Sequence, residues 1–395
     1  MPLAGYLRLA SVPLVSAAIG LVCLHQAMLT GPNRSILPLA KNCFLPSRQK
    51  LSTDYTDGAI PMVDNFICIS MPFFKDLIVD RLSAGITSLL LSVMGPAILH
   101  LCYTAVSPNR KSLLSGGWLV LFITALGQGL GFGMVAAIFG TLILTVGSYE
   151  TYKRSAPSIN PVPTPAGSIY LSNIAVLLAA GLGIAQLALD PEGWYSYNTR
   201  LVFLFYPILF IPVVIRSFLT TTIRDERAAR IEVASWDAES VSYSFERTWS
   251  YYRKVAYVSA VLYWYGCNRI FRGWYYEGGK LNDSSYFAIW DALATLVFLF
   301  SLVALERTTF RCKAASHPLS GAPKPQLQVE CERAIERAPA GHVWLETTVT
   351  GLLLASIVAG PGFAAGVWWA SGEEEQGWKA RKAWREAIAV EGKKE

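Results

Sequence analysis

The sequence predicts an all-α protein, a polytopic bundle of about eight transmembrane helices. Eight apolar segments, most close to bilayer-spanning length, follow one another along the chain. Only 16% of the 395 residues are charged and mean hydropathy is +0.36, where about a quarter of an ordinary soluble domain is charged. The short period-two alternation of barrel strands is absent, so backbone groups in lipid have to be paired within helices.

A hydrocarbon core about 30 Å thick takes about 20 helical residues to cross. The windows that meet this length are Leu7 to Met28, Gly85 to Val106, Gly117 to Gly147, Ile169 to Leu189, Arg200 to Leu219, Tyr251 to Phe271, Tyr286 to Glu306 and Trp344 to Ala370. The first is longer than a signal-peptide core and leads to Leu24-His25-Gln26 without a small-x-small cleavage site, which predicts a retained helix. Pro61 to Arg81 is apolar but punctuated by charge, and Met71-Pro72 predicts two pieces lying at the interface. Gly117 to Gly147 is too long for one simple crossing and contains Gly127-Gln128-Gly129-Leu130-Gly131-Phe132-Gly133. Four glycines at alternate positions weaken a helix by roughly 1 kcal/mol each relative to Ala. Two readings stand: close helix packing through small residues, or a break that projects Gln128 into a cavity. Pro157, Pro161, Pro163 and Pro165 predict a stiff linker before the next helix. One transmembrane domain, residues 1–370, is followed by a charged tail, 371–395.

Lys and Arg in short loops favour the cytosol. With eight single crossings the basic loops 29–84, 220–250 and 307–343 fall together on that side, opposite Asp190-Pro191-Glu192 and the sequon at Asn282. The tail (Lys379, Arg381, Lys382, Arg385) and the sequon Asn33-Arg34-Ser35 pull the other way, and Gly360-Pro361-Gly362 allows a re-entrant final hairpin. The expected location is an internal membrane, the endoplasmic reticulum.

The net charge of +6 is spread over loops and tail, a pattern of membrane-surface attraction rather than nucleic-acid binding. The seven cysteines are scattered without a C-x-x-C pair and give no disulfide framework, and the four histidines are dispersed. No metal site is expected, and no cofactor.

Acids inside spanning segments are costly and become site candidates. Asp291 lies about 7–8 Å into the helix starting at Tyr286, at roughly 1.5 Å per residue; it is either an N-terminal cap or a carboxyl facing the bundle interior. Asp76 and Asp80 are four apart and share a face if helical. In a poorly solvated site one of them keeps its proton and serves as an acid; on an interfacial helix they are solvated beside Lys75 and Arg81. Asp64 stands in the apolar run Ile60 to Phe66, while Glu150 and Glu346 read as interfacial anchors. Tyr263-Trp264-Tyr265, with Trp274, Tyr275, Tyr276 and Trp290, is either an interfacial belt or a cage of π-faces for a developing cation. Gln128 and Asn268 are candidates to orient a substrate oxygen.

There is no D-D-x-x-D for metal-bound diphosphate and no D-x-D-D of soluble protonation-type cyclases. Asp76-Leu77-Ile78-Val79-Asp80 matches the D-x-x-x-D half of intramembrane prenyltransferase sites, without the N-D-x-x-D half.

Pro61-Met62-Val63-Asp64-Asn65-Phe66 running on to Phe73-Phe74, and the glycine-rich stretch 127–133 within a long apolar segment, resemble the fungal membrane-bound terpene cyclases of meroterpenoid pathways, the ascofuranone-pathway cyclase family. Length and helix plan are also similar. Met134-Val135-Ala136-Ala137 departs from it, lacking a Pro-aromatic pair. The resemblance implies proton-initiated cyclisation of a farnesyl chain, often through a terminal epoxide, on a lipophilic prenylated substrate that enters from the bilayer. Asp64 is the only charged residue within a matching stretch. The expected roles are Asp64 or Asp291 as acid, with the other, or Asp76 and Asp80, taking the final proton. Tyr263, Trp264, Tyr265 and Trp290 would form the cage. The rival expectations are a Mg²⁺-dependent intramembrane prenyltransferase, a transporter or receptor for a lipophilic ligand, and a non-catalytic scaffold; the absence of an internal repeat counts against a transporter.

Overall fold

The computed structural model describes residues 3–29, 43, 56, 59–107, 116–154, 166–222, 238–315 and 349–374. They are helical almost throughout, with no strand among them. The elements are α1 (Leu3–Leu29), α2 (Pro61–Asp76), α3 (Arg81–Val106), α4 (Gly117–Leu130), α5 (Phe132–Val135), a π-helical turn (Ala136–Gly140), α6 (Thr141–Arg154), α7 (Ala166–Ala188), α8 (Trp194–Leu204), a 3₁₀ turn (Tyr206–Phe210), α9 (Ile211–Thr222), α10 (Ala238–Tyr275), α11 (Asp283–Ala315), α12 (Val349–Ala359) and α13 (361–374).

Among the described residues, four helical stretches are long and apolar enough to cross a membrane: Ala10–Leu29, Arg81–Val106, Gly167–Ala188 and Asp283–Leu305. A fifth is made by Trp194–Leu204 and Tyr206–Phe218, bent by 50°. The bend follows from Pro207, which has no N–H to continue the α8 ladder. The described residues thus account for four or five of the eight expected spans. The 38-residue α10 is long enough but carries charges such as Arg253, Lys254, Arg269 and Arg272.

The segment 117–147 accounts for another. It is a hairpin, because the chain reverses at Gly131, whose φ of +89° is open to glycine at little cost. Gly127 then lies over Phe132, Ile123 over Gly140, and the Phe122 and Phe139 rings are 6.2 Å apart, the pairing of two antiparallel helices. Gly133 packs so closely on α11 that a Cβ there would overlap the backbone of Asp291 and Thr295. Both sequence readings of the glycines hold: a break at Gly131 and close packing at Gly133.

A hairpin does not cross, so it shifts the parity of every loop before it. Lys75 pairs with Glu192 (2.6 Å), Arg81 with Glu277 (2.8 Å), and Asn282 Nδ2 donates to the Asp76 carbonyl (2.8 Å) and Ser83 Oγ (3.0 Å). Residues 59–81 therefore share one end of the bundle with the 188–194 turn and the 276–283 loop, contrary to the side assigned from eight single crossings. At the opposite end Ser217 Oγ accepts from Gly117 N and donates to the Ala105 carbonyl, both at 3.0 Å. Arg216 Nε donates there to Ser168 Oγ at 3.0 Å.

Two further expectations are corrected. Cys43 and Cys68 form a disulfide, with Cα atoms 6.0 Å apart, although their spacing carries no motif. Asn282 is not a free sequon, because its Oδ1 accepts from Ser285 N (2.7 Å) and caps α11 while its Nδ2 is bonded as above. Near the C-terminus the helix breaks at Gly360 (φ +93°) against the Tyr263 ring. Helix 361–374, which runs into the segment assigned to the tail, is held by stacking of Trp369 on His100 (centroids 4.1 Å) and by Arg253 Nη2 on Glu374 (3.0 Å). Asn33, Glu346 and the basic residues of 316–348 and 375–395 lie outside the described residues, as does the Glu150 side chain.

Candidate functional site

Helices α2, α3, α4, α7, α8 and α11 meet, with the 3₁₀ turn and the hairpin tip, around one apolar cavity. Phe73 and Phe74 come from α2, Phe203 from α8, Tyr206 from the 3₁₀ turn, Phe287 from α11, and Phe132 from the first residue after Gly131. Five of these six rings interlock, and Phe132 meets Phe298 behind them. Phe73 meets Phe287 edge-on at 5.3 Å, Phe74 meets Phe203 at 5.5 Å, and Phe203 stacks on Tyr206 at 5.1 Å. Edge and face contacts of this kind add about 0.5–1.5 kcal/mol per pair beyond burial. Polar groups are few: Thr87, Gln128, Gln186, Tyr206 and a single acid, Asp291.

Asp291 is 4% exposed and sits two turns into α11. The hairpin turn delivers three backbone amides to it. Gly133 N donates to Oδ1 at 2.7 Å, Met134 N to the same oxygen at 3.4 Å, and the Phe132 amide faces the carboxyl as well. Among the described residues, no Lys, Arg or His pairs with it. The amides are free because they are the first of a helix and have no carbonyl one turn back; Gly131 lets the chain turn sharply enough to aim them at Asp291. The carboxyl therefore faces the interior, the second of the two sequence readings, and it caps the helix after Gly131 rather than its own.

Gln128, three residues before Gly131, lines the cavity, and its Nε2 donates weakly to the Phe203 carbonyl at 3.3 Å. Its side-chain oxygen is available to a ligand hydroxyl or a bridging group.

The other sequence candidates lie elsewhere. Asp64, 2% exposed, accepts from Thr56 N (3.0 Å) and Thr56 Oγ1 (2.7 Å) and ties the turn before α2 to its first helical residues. Asp76 and Asp80 do not share a helix face, because α2 ends at Asp76 and Asp80 is the N-cap of α3, accepting from Ser83 N at 2.7 Å. Burial raises the Asp76 pKa. Lys75 opposes that shift, Asp283 and Asp80 add to it, and a hydrogen bond from Ser284 opposes it. Neither acid lines the cavity.

The cage expected on α10 is not assembled. Trp264 is 58% exposed, Tyr265 is bonded to Arg269 Nε (2.9 Å), Tyr263 covers Gly360, and Asn268 is exposed. Consecutive helical residues point about 100° apart and cannot face one ligand together. Trp290 packs edge-on against Tyr286 at 6.2 Å, next to Asp291 in sequence but outside the cavity lining. The rings that do wall the cavity come from distant positions, and of them Phe73, Phe74 and Phe132 lie in the stretches that carry the family resemblance. Among the described residues no three His, Cys, Asp or Glu side chains come together.

No protein-family model, curated protein or solved structure matches this chain.

Proposed function

We propose that this protein is a membrane-bound terpene cyclase that isomerises a prenyl chain, in an epoxyfarnesyl or related lipophilic substrate, by acid catalysis. The observation that carries the proposal is the pairing of a lone buried carboxyl, Asp291, with a cavity walled by six aromatic rings. The resemblance of residues 61–74 and 127–133 to meroterpenoid cyclases points the same way.

In the reaction, protonated Asp291 gives its proton to the epoxide oxygen, or to the terminal alkene of an unoxidised chain. The carbon–oxygen bond breaks as the next double bond supplies its electron pair to form the ring bond. The cation that results loses a proton, so product and substrate have the same composition. The amides of Phe132, Gly133 and Met134 stabilise the carboxylate left behind, as preorganised donors do for developing negative charge. Aromatic faces stabilise the cation, about 0.5–2 kcal/mol for each well-placed ring, and the apolar walls keep water from quenching it. The Asp291 carboxylate is the base within reach for the final proton, since no other acid among the described residues lines the cavity. Gln128 orients the substrate oxygen.

The same reading places the bundle in a membrane with a defined orientation. Disulfides persist in oxidising compartments, which assigns the end carrying Cys43–Cys68 to the lumen. The basic segments 220–250 and 307–343 and the tail then face the cytosol, in line with the positive-inside bias. An endoplasmic-reticulum location fits both.

Microsomes containing the protein, fed an epoxyfarnesyl phenol in the presence of EDTA, test the function. A product of unchanged mass and new retention time is expected. Turnover only with Mg²⁺ and a prenyl diphosphate would replace this reading with a prenyltransferase, and saturable binding without conversion would replace it with a carrier or receptor.

A further inference from the structure

Gln186 is a buried amide that the mechanism above does not use. It is 5% exposed, stands near the end of α7 and lines the cavity. Among the described residues neither its Nε2 nor its Oε1 has a hydrogen-bond partner, and both open onto the cavity. The other polar groups of the lining are already engaged. Thr87 Oγ1 donates to the carbonyls of Leu77 (2.7 Å) and Ser83 (3.0 Å), and Gln128 Nε2 to that of Phe203. Asp291 holds the hairpin amides, and the Tyr206 hydroxyl lies within electrostatic reach of that carboxyl. An amide that gives up water without regaining a hydrogen bond is costly. Its retention on the wall of a ligand cavity points to a partner supplied by the ligand.

The amide and the acid reach the cavity from different walls. Gln186 shares a helix face with Gly183, and a Cβ at Gly183 would meet Leu91 (3.0 Å) and Phe203 (3.6 Å), both in the lining. Asp291 instead stands beside Gly131 and Phe287. α7 packs on α3 and α8, and α11 on α2 and α3, so one elongated ligand can touch both groups. A primary amide offers donors at Nε2 and an acceptor at Oε1. A hydroxyl can serve both, whereas an ether or a carbonyl serves Nε2 alone. Among the described residues no Lys, Arg or His lines the cavity, so an anionic head has no counter-charge there. We propose that Gln186 binds a neutral hydroxyl of the substrate, remote from the group that Asp291 protonates, and so selects hydroxylated prenyl substrates. The proposal rests on reading the cavity as a prenyl site. It goes beyond that reading by giving the substrate a second oxygen function and a residue that recognises it.

Purified full-length protein in detergent, titrated with farnesol, farnesyl methyl ether and farnesene and followed by its thermal midpoint, tests the assignment. Wild type is expected to bind farnesol about tenfold tighter than farnesene, the scale of satisfying a buried polar group with a hydrogen bond, with the ether between them. Gln186→Met, similar in length but without the amide, should lose this preference and bind farnesene at least as tightly as wild type does. Its ligand-free midpoint should be no lower than that of wild type, a result that a structural role for the amide would not give. Equal binding of all three ligands by wild type overturns the hydroxyl site and leaves the prenyl reading standing, as does a preference that survives in Gln186→Met. A ligand-free midpoint lowered in both Gln186→Met and Gln186→Leu assigns the amide to the fold and overturns the site as well. Binding of none of the three overturns both readings.

Discussion

Asp291 was legible in the sequence as an acid within a strongly apolar segment, where a charge is rarely tolerated without a task. Its partners were not, since they are backbone amides about 158 positions away, and every non-proline residue offers such a donor. The carboxyl candidates separate by what each touches: Asp64 bonds a turn, Asp80 caps a helix, and Asp291 alone opens onto the cavity. Asp76 makes a distinct prediction. A carboxyl whose pKa is raised on folding binds its proton more tightly in the folded state, so the stability it contributes is greatest below the unfolded value, about 3.9. That contribution is lost as pH rises through the window from there up to the raised folded value. Thermal midpoints of wild type and Asp76→Asn measured across that window should converge at low pH and diverge above it, with Asp76→Asn the more stable at pH 7. Parallel curves would remove Asp76 from the pH response.

At the scale of elements the hairpin is the part that the sequence left open. The glycine pattern announced a departure from a simple helix, but whether the chain kinks or reverses depends on which neighbour it meets. The neighbour is α11, and Gly133 is where backbone touches backbone. Gly133→Ala should destabilise the protein by about 3 kcal/mol or more, the upper range for overpacking, and should lower activity because the same amide holds Asp291. A thermal midpoint and an activity within error of wild type would mean that the hairpin is not packed in this way. The Cys43–Cys68 crosslink was illegible for a different reason. Pairing depends on the distance between two Cα atoms, and nothing in a 25-residue separation reveals it. Closing a loop of that length stabilises by about 3–4 kcal/mol in the chain-entropy model. Cys68→Ser is therefore expected to lower stability measurably, and reducing agent should do the same to wild type and nothing to Cys68→Ser. α2 carries both Cys68 and the cavity residues Phe73 and Phe74, so loss of the crosslink should also weaken ligand binding. The aromatic wall shows the same limit: three adjacent rings on α10 suggest a cage, while the six rings that wall the cavity are gathered from five separate elements.

For the whole molecule, the all-α class follows from the length of the apolar segments and the absence of strand alternation, and it holds among the described residues; the number of crossings does not follow, because a hairpin and a crossing of equal length share one hydropathy profile. Parity groups the loops by end, and the proposed lumenal placement of Cys43–Cys68 gives that grouping an orientation to test. Asn33 should accept a glycan and Asn282 should not, so Asn33→Gln alone should abolish an endoglycosidase-sensitive shift. A glycan on a sequon introduced into 220–237 would reverse the assignment. The central claim is that Asp291 is the acid of a metal-independent cyclisation. The most direct measurement compares wild type with Asp291→Asn in membranes, at matched and verified levels of inserted protein, by mass-resolved chromatography of an epoxyfarnesyl phenol in EDTA. A loss of isomeric product of about 10²–10⁴-fold, the range for removing a general acid, is the predicted result; an undiminished yield from Asp291→Asn would contradict it.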